Sequence, residues 1–152
     1  MSKIDILQTS RIPPFLTEGL KARFEVHQRE TATPEVLARV RALVGGGEAR
    51  IDQSLMDQCP GMEVITICGV GYDGVDVQAA KARGVPVTHT PDVLNDDVAD
   101  LGVALLLAVA RNLPAADQFT RQGEWEKGPF PLTRKLSGSR LGIVGMGRIG
   151  QA

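Results

Sequence analysis

Five short apolar runs alternate with segments of helical character over the first 90 residues of this chain. Each run is bounded by polar or turn-forming residues, which favours a strand over a helix. Strands that alternate with helices of this length are typical of a parallel sheet with helices on its faces. The sequence therefore predicts an α/β fold with five strands, at residues 4–7, 24–26, 42–44, 64–68 and 85–87.

The segments between these strands carry helix start and stop signals. Thr33, Asp52 and Asp76 each precede a helical segment, and a side-chain oxygen at such a position can accept a hydrogen bond from the free amides of the first turn. Gly84 follows the third of these segments and is predicted to end it. Together the five βα units resemble a flavodoxin-like domain, which we place at residues 1–95.

Residues 95–111 are predicted to form one helix with almost no polar face. Asn95 can cap its first turn, and Pro114 is predicted to stop it. The apolar run 101–110 is about half the length that crossing a bilayer requires. Because a helix that is apolar all round has to be covered, we predict that it is buried between two domains or in a subunit interface.

A glycine fingerprint follows a predicted strand at residues 141–144. Its glycines serve different purposes: Gly145 for a tight turn, Gly147 for close approach of backbone to a pyrophosphate, and Gly150 for packing of helix on strand. A cation such as Arg148 is disfavoured in a first helical turn unless a bound phosphate offsets it. The alternative is an ordinary glycine turn with a solvated arginine; the context favours binding of a dinucleotide.

The fingerprint predicts only the start of a Rossmann nucleotide-binding domain. A complete βαβ unit needs about 30 residues, and the acidic residue that contacts the ribose is expected about 20 residues beyond the glycines. Both positions lie past Ala152. We therefore expect residues 96–152 to be the truncated start of that domain, with the strand at 141–144 lacking neighbours and exposed.

Two further glycine-rich segments follow predicted strands, at residues 45–47 and 69–71. Successive backbone amides in such loops can form a concave site for a carboxylate. Ligands of open parallel sheets bind beyond the carboxyl ends of the strands, where these loops lie. Gly46, Val70 and Gly71 are therefore candidate substrate-binding residues, although glycines that merely turn the chain are about as common from the pattern alone.

The composition excludes several other classes of protein. A formal net charge of -1, with charges of both signs interspersed, predicts neither nucleic acid nor an anionic membrane surface as a partner. Asp5 interrupts the first apolar stretch, so no secretory signal is predicted. Cys59 and Cys68 lack metal-site spacing and are predicted to be buried, reduced thiols of a cytoplasmic protein.

Neither histidine is predicted to be catalytic. His27 and His89 lie at the ends of the second and fifth predicted strands, where a structural histidine is the commoner finding. No Ser–His–Asp grouping, Cys–His grouping or cluster of metal ligands can be assembled. The sequence therefore predicts no catalytic residue and no metal site within this chain.

The sequence resembles the D-isomer-specific 2-hydroxyacid dehydrogenases in four spaced motifs. These are GVGYDGVD at residues 69–76, TPDVL at 90–94, DDVADL at 96–101 and GMGRIG at 145–150. Within that family, GPFPL at 128–132 is most similar to the hydroxypyruvate, glyoxylate and hydroxyphenylpyruvate reductases.

The resemblance implies a two-domain, homodimeric oxidoreductase that binds NAD or NADP and reduces a small 2-keto acid in the cleft between its domains. By matching position, the Val70 and Gly71 amides would hold the substrate carboxylate. Val98 would lie near the nicotinamide, and Arg148 and Ile149 would meet the pyrophosphate.

In the family mechanism a histidine, its acidic neighbour and an arginine complete the chemistry, and no residue of this chain matches them. We therefore expect these 152 residues alone to be inactive. The alternative is a non-catalytic dinucleotide-sensing or dimerisation module on the same scaffold, as in the C-terminal-binding corepressors. The choice between NAD and NADP stays open, because the residue that contacts the ribose lies past Ala152.

Overall fold

The computed structural model describes residues 3–152, which form two compact units. The first comprises the described residues up to Val93, and the second is Leu94–Ala152. The boundary predicted from the sequence lies two residues further along the chain, after residue 95.

The first unit is built on a five-stranded parallel sheet. Its strands are β1 (Asp5–Gln8), β2 (Glu25–Gln28), β3 (Ala42–Gly46), β4 (Val64–Cys68) and β5 (Val87–Thr88). All neighbouring pairs are parallel, and the order across the sheet is β2-β1-β3-β4-β5. This is the strand order of flavodoxin-like domains, so the predicted fold class is confirmed.

Four of the five strands have other bounds than predicted: β1 and β2 each begin one residue later and end one and two residues later, respectively. The differences in β3 and β5 have identifiable reasons. The fifth strand begins at Val87 rather than at residue 85, because the Val85 amide donates to the Ala80 carbonyl and closes the end of the preceding helix. The third strand continues to Gly46, because Gly45 and Gly46 pair with the last residues of β4. Two glycines predicted in a loop therefore lie in the sheet.

Four helices connect these strands: α1 (Pro14–Arg23), α2 (Pro34–Leu37), α3 (Gln53–Gln58) and α4 (Val77–Ala82). The caps of α3 and α4 are confirmed, since Asp52 accepts from the Leu55 amide and Asp76 from the Ala79 amide, each at 2.9 Å. Thr33 occupies the cap position of α2 without bonding a helix amide. Gly84, with φ of +69°, follows α4 in the left-handed conformation that glycine favours.

The core lies on both faces of the sheet. Alternate residues of β1 point to opposite faces, so Leu7 joins one apolar cluster and Ile6 the other. The larger cluster packs against α2, α3 and α4, and the smaller against α1. Cys59 is buried in the larger cluster, and burial raises the pKa of its thiol. Cys68 is half-buried, so the prediction that both thiols are buried holds fully only for Cys59.

The second unit contains α5 (Asn95–Arg111), α6 (Leu113–Arg121), a 3-10 turn (Glu124–Glu126) and α7 (Arg148–Gln151). Asn95 is the first residue of α5, and the cap position is Leu94, one residue earlier than predicted. The prediction that Pro114 stops α5 is also wrong: α5 ends at Arg111, its C-cap is Asn112 with a φ of 49°, and Pro114 lies in the first turn of α6. Proline is tolerated there, because the amides of a first turn have no helical partner.

The predicted covering of α5 is not found within this chain, since none of its residues is buried. Its apolar side chains line an open groove of about 850 Å³, together with Leu136 and Leu141 from the segment that follows. Among residues 3–152 no single helix is long and apolar enough to cross a membrane. By length and composition alone, α5 and α6 together could do so, with a bend of 62° between them.

The predicted strand at residues 141–144 has no ladder partner. Leu141 and Val144 are 66% and 104% exposed, in agreement with the expectation that this segment lacks neighbours. The prediction of a strand is wrong in this chain, because extended backbone becomes a β-strand only when another strand satisfies its amides and carbonyls. A short helix, α7, does follow the glycine loop, as the fingerprint requires.

Candidate functional site

The two glycine-rich segments of the first unit meet at the carboxyl end of the sheet. A Cβ built on Gly69 would lie 3.3 Å from the Gly47 nitrogen and 3.4 Å from its Cα. A Cβ on Gly47 would lie 3.7 Å from the Gly71 carbonyl oxygen. The backbones therefore lie close together, and a side chain at Gly69 would press on Gly47, whereas a Cβ at Gly47 makes only ordinary contact.

Gly46 is buried between this contact and the β1–α1 loop. Its amide donates to the Ser10 hydroxyl over 2.9 Å. A Cβ there would come within 2.5 Å of the Arg11 carbonyl oxygen. The glycine is thus needed for close packing of backbone, and its amide already has an acceptor; a direct role in binding substrate stays a prediction.

The Val70–Gly71 peptide lies beside that contact and is more open. Gly71 is exposed, and among residues 3–152 neither the Val70 nor the Gly71 amide has a protein acceptor. Amides without a protein acceptor at the carboxyl end of a parallel sheet suit an anionic group. The carboxylate of Asp73 lies nearby, with one oxygen 3.6 Å from where a Gly71 Cβ would be, so its charge opposes an anion at this position.

The ring of His89 closes this turn from the neighbouring chain segment. Its Nδ1 lies 2.9 Å from the Val70 carbonyl oxygen. Because a carbonyl only accepts hydrogen bonds, Nδ1 is the protonated nitrogen of this pair. Tyr72 packs edge-on against the ring, with centroids 4.8 Å apart and an interplanar angle of 67°.

His27 lies elsewhere in the sheet, in β2, and its side chain contacts β1. Its Nε2 is 2.6 Å from an Asp5 carboxylate oxygen, and Arg39 is 3.5 Å from the other oxygen. The hydrogen bond from His27, followed by the attraction of Arg39, holds the pKa of Asp5 below its ordinary value although partial burial opposes this. This cluster links two strands and an adjacent turn.

The fingerprint loop of the second unit gives its three glycines three different environments. Gly145 has φ of +97°, in the left-handed region. Nothing lies within 4 Å of a Cβ built on Gly147, so the space above it is open to a ligand. A Cβ on Gly150 would overlap the Gly145 carbonyl oxygen and touch Ile143. The three environments differ, and the binding of a dinucleotide by this turn stays a prediction.

The other predicted cofactor residues lie on the two helices of this unit. Arg148 and Ile149 occupy the first turn of α7, directly after Gly147. Val98 lies in the first turn of α5 and is 43% exposed. Their contacts with a cofactor stay predictions. No group of three or more metal-ligating side chains occurs among the described residues.

Sequence reasoning missed the place of His89 and Tyr72. His89 was interpreted as a structural residue at a strand end, and Tyr72 was not singled out. The signal was present in the predicted topology: in a flavodoxin-like order β5 lies beside β4, so the residue after β5 faces the turn after β4.

Comparison with known proteins matches residues 4–139 to the family described as "D-isomer specific 2-hydroxyacid dehydrogenase, catalytic domain". Hydroxyphenylpyruvate reductase of Plectranthus scutellarioides is 42% identical over 158 residues, covering 100% of this chain and 50% of that protein.

Two solved structures are also similar. The 2-hydroxyacid dehydrogenase of Ketogulonicigenium vulgare Y25 has 43% identity and a TM-score of 0.90, covering 99% of this chain and 50% of its own. The NADPH-dependent glyoxylate/hydroxypyruvate reductase of Sinorhizobium meliloti, in complex with citrate, has 42% identity and a TM-score of 0.89, covering 99% and 49%. This chain spans about half the length of these relatives. It belongs to the D-isomer-specific 2-hydroxyacid dehydrogenase family.

Proposed function

We propose that this chain is the N-terminal part of an NAD(P)H-dependent oxidoreductase that reduces a 2-keto acid, such as hydroxypyruvate or glyoxylate, to the D-2-hydroxy acid. The observation that carries the proposal is the exposed Val70–Gly71 peptide, held beside two touching glycine loops at the carboxyl end of the sheet. The names of the relatives support the same substrate class.

On the substrate side, the Val70 and Gly71 amides bind the carboxylate of the keto acid. Recognition by backbone suits a carboxylate because several N–H groups share its charge without the cost of ordering long side chains. Gly46 supports this arrangement through its close contact with Arg11 and its bond to Ser10. The charge of Asp73 weakens binding of the anion, so the amides have to outweigh it.

On the cofactor side, the residues present fit a nicotinamide dinucleotide. The open space over Gly147 admits the pyrophosphate, with Gly145 and Gly150 shaping the turn and Arg148 and Ile149 beside it. Val98 would contact the nicotinamide end of the cofactor. The bound cofactor, NADH or NADPH, supplies the hydride that reduces the keto carbon.

The proton that the reduced oxygen needs comes from outside this chain in our proposal. No residue of this chain matches the proton-donating histidine that the family resemblance implies, or its acidic neighbour. We therefore propose that the 152-residue chain alone does not catalyse reduction of the keto acid. The full-length enzyme is proposed to be a homodimer in the reducing cytoplasm, where the free thiols of Cys59 and Cys68 are stable.

The test uses the full-length protein with glyoxylate or hydroxypyruvate and either NADH or NADPH. We expect consumption of the reduced cofactor, measured by its absorbance, and a D-configured product from hydroxypyruvate. The 152-residue chain serves as the matched control and should be inactive. Absence of turnover by the full-length protein with both keto acids and both cofactors would refute the proposal.

A non-catalytic dinucleotide-sensing or dimerisation module is the second candidate. The exposed apolar groove along α5 favours it, since such surfaces mark contacts with other proteins. A dimer of the full-length protein that binds NAD(H) or NADP(H) without turnover would support this alternative. A dimer that also oxidises the reduced cofactor in the presence of a keto acid would support the enzymatic function.

A further inference from the structure

His89 contacts the carbonyl of the peptide whose amide is proposed to bind substrate. We propose that His89 is a positioning residue: by holding the Val70 carbonyl, it directs the Gly71 N–H toward the substrate carboxylate. The inference rests on the proposed function of the Val70–Gly71 peptide and names a side chain that controls it.

The geometry of the peptide bond links the two atoms. The Val70 carbonyl and the Gly71 N–H belong to one planar unit, and no peptide bond in the described chain is cis. In a trans peptide these groups point in opposite directions. Since His89 Nδ1 holds the carbonyl oxygen at 2.9 Å, the N–H has to point away from the His89 ring.

This restraint matters because the turn has little else to fix that peptide. Gly71 has no side chain, and glycine allows the rotation that flips a peptide plane at little cost. Gly71 is exposed, and a Cβ there would meet only the Asp73 carboxylate, at 3.6 Å. The hydrogen bond from His89 therefore selects one orientation among those that the glycine permits.

His89 is itself fixed from both sides. Thr88 is the last residue of β5 and pairs with Thr66 of β4. The Thr90 amide donates to the Gly69 carbonyl at 2.9 Å, within the same turn that contains Gly71. The backbone before and after His89 is thus bound to β4 and to its turn.

The ring of His89 is also held by packing. Tyr72 makes the edge-on contact already described, and Val77 and Val87 line the small cavity of about 150 Å³ next to both rings. The donor is therefore preorganised, and substrate binding does not have to order it.

The experiment compares two substitutions of similar size in the full-length enzyme. In His89→Asn the side-chain amide can donate from about the position of Nδ1, whereas His89→Leu has no donor. We expect the KM for hydroxypyruvate to rise about three- to tenfold in His89→Leu, the range for loss of one hydrogen bond. In His89→Asn it should stay within about twofold of the wild type. The KM for the reduced cofactor should change less than about twofold in both variants.

A competitive inhibitor separates binding from turnover. The inhibition constant of oxamate, an unreactive keto-acid analogue, should rise in parallel with the KM in His89→Leu alone. His89→Phe, which keeps an aromatic ring against Tyr72 but has no donor, should behave like His89→Leu, and it replaces that variant if His89→Leu does not fold. Equal KM values in the donor and non-donor variants would overturn the inference, as would a fall in kcat without a change in KM.

Failure of the proposed function can be told apart from failure of this inference. If the wild-type protein does not turn over, titration with oxamate followed through the Gly71 amide resonance replaces the kinetic assay. A saturable change in the chemical shift of the Gly71 amide in the wild type and in His89→Asn, together with weaker binding of oxamate to His89→Leu, supports the role of His89 without catalysis. No shift in the wild type, or equal shifts in all variants, refutes it.

Discussion

The two units of this chain use apolar residues in opposite ways. In the first, Leu7, Leu43 and Ile65 have no exposed surface, because the sheet and its helices supply partner atoms on both faces. In the second, α5 is apolar from Leu101 to Ala110, yet none of its residues is buried. An apolar segment gains free energy when it is buried. Whether it is buried depends on whether other parts of the protein pack against it, as they do around the sheet of the first unit.

The same substitution in both units tests this contrast most directly. Leu43→Ala should lower the free energy of unfolding by about 2–5 kcal/mol, since it leaves a cavity in the core. Leu105→Ala, at a side chain that is 57% exposed, should change it by less than about 0.5 kcal/mol. Urea unfolding of the chain, followed by far-UV circular dichroism, measures both. A comparable loss from Leu105→Ala would mean that α5 is covered in solution.

Two glycines of the fingerprint loop sharpen the comparison within the second unit. In the full-length protein, Gly147→Ala should raise the KM for NAD(P)H about tenfold, because a methyl group fills the space predicted for the pyrophosphate. The unfolding temperature should not change, since no atom lies within 4 Å of that Cβ. Gly150→Ala should weaken cofactor binding and also lower the unfolding temperature, because its Cβ overlaps the Gly145 carbonyl. Identical thermal behaviour of the two variants would contradict this distinction.

Removing a helix cap from the first unit should have a smaller effect on the free energy of unfolding. Asp52→Ala and Asp76→Ala should each lower the free energy of unfolding by about 1 kcal/mol, because each leaves a first-turn amide without its acceptor. Thr33→Ala is the control, since Thr33 bonds no amide of α2. Urea unfolding measures the free energy of unfolding of the three variants. A loss in Thr33→Ala equal to that in the two aspartate variants would refute the role assigned to the caps.

The smallest expected effect concerns Asp5 and depends on pH. Its pKa is lowered in the folded protein, so its contribution to stability is present above the ordinary value of 3.8 and is lost as the pH falls through the lowered pKa. Asp5→Asn should therefore be less stable than the wild type near pH 7, by less than about 1 kcal/mol, and the difference should vanish in acid. Glu18→Gln, at an exposed residue of α1, is the control. A difference between Asp5→Asn and the wild type that grows in acid would reverse the assigned sign.

The sheet could be predicted from sequence because each of its strands carries its own local pattern. Short apolar runs and the Asp52 and Asp76 caps depend on neighbouring residues only. The start of β5 was missed because Val85 is apolar and buried, yet its amide serves the end of α4. The helix α6 was missed because Pro114 was interpreted as a stop, although a first turn accepts proline.

The candidate site was only partly predictable for a similar reason. The spacing of the glycines predicted the two loops and the fingerprint, because a tight turn or a close backbone contact requires glycine at a particular position. The bond from His89 to Val70 joins residues that are distant along the chain, so it required the sheet order as well. The exposure of α5 and of residues 141–144 depends on atoms that no local pattern describes.

The contact between Gly47 and Gly69 brings the two ends of the intervening segment together. That segment, with α3 and β4 inside it, leaves and re-enters the carboxyl end of the sheet at almost one point. A loop with closed ends can be lengthened at its far side without displacing what lies at its base. The exposed position Pro60, two residues before the buried Met62, is therefore where we expect the chain to accept an inserted loop while the Val70 and Gly71 amides, proposed to bind the anion, keep their positions.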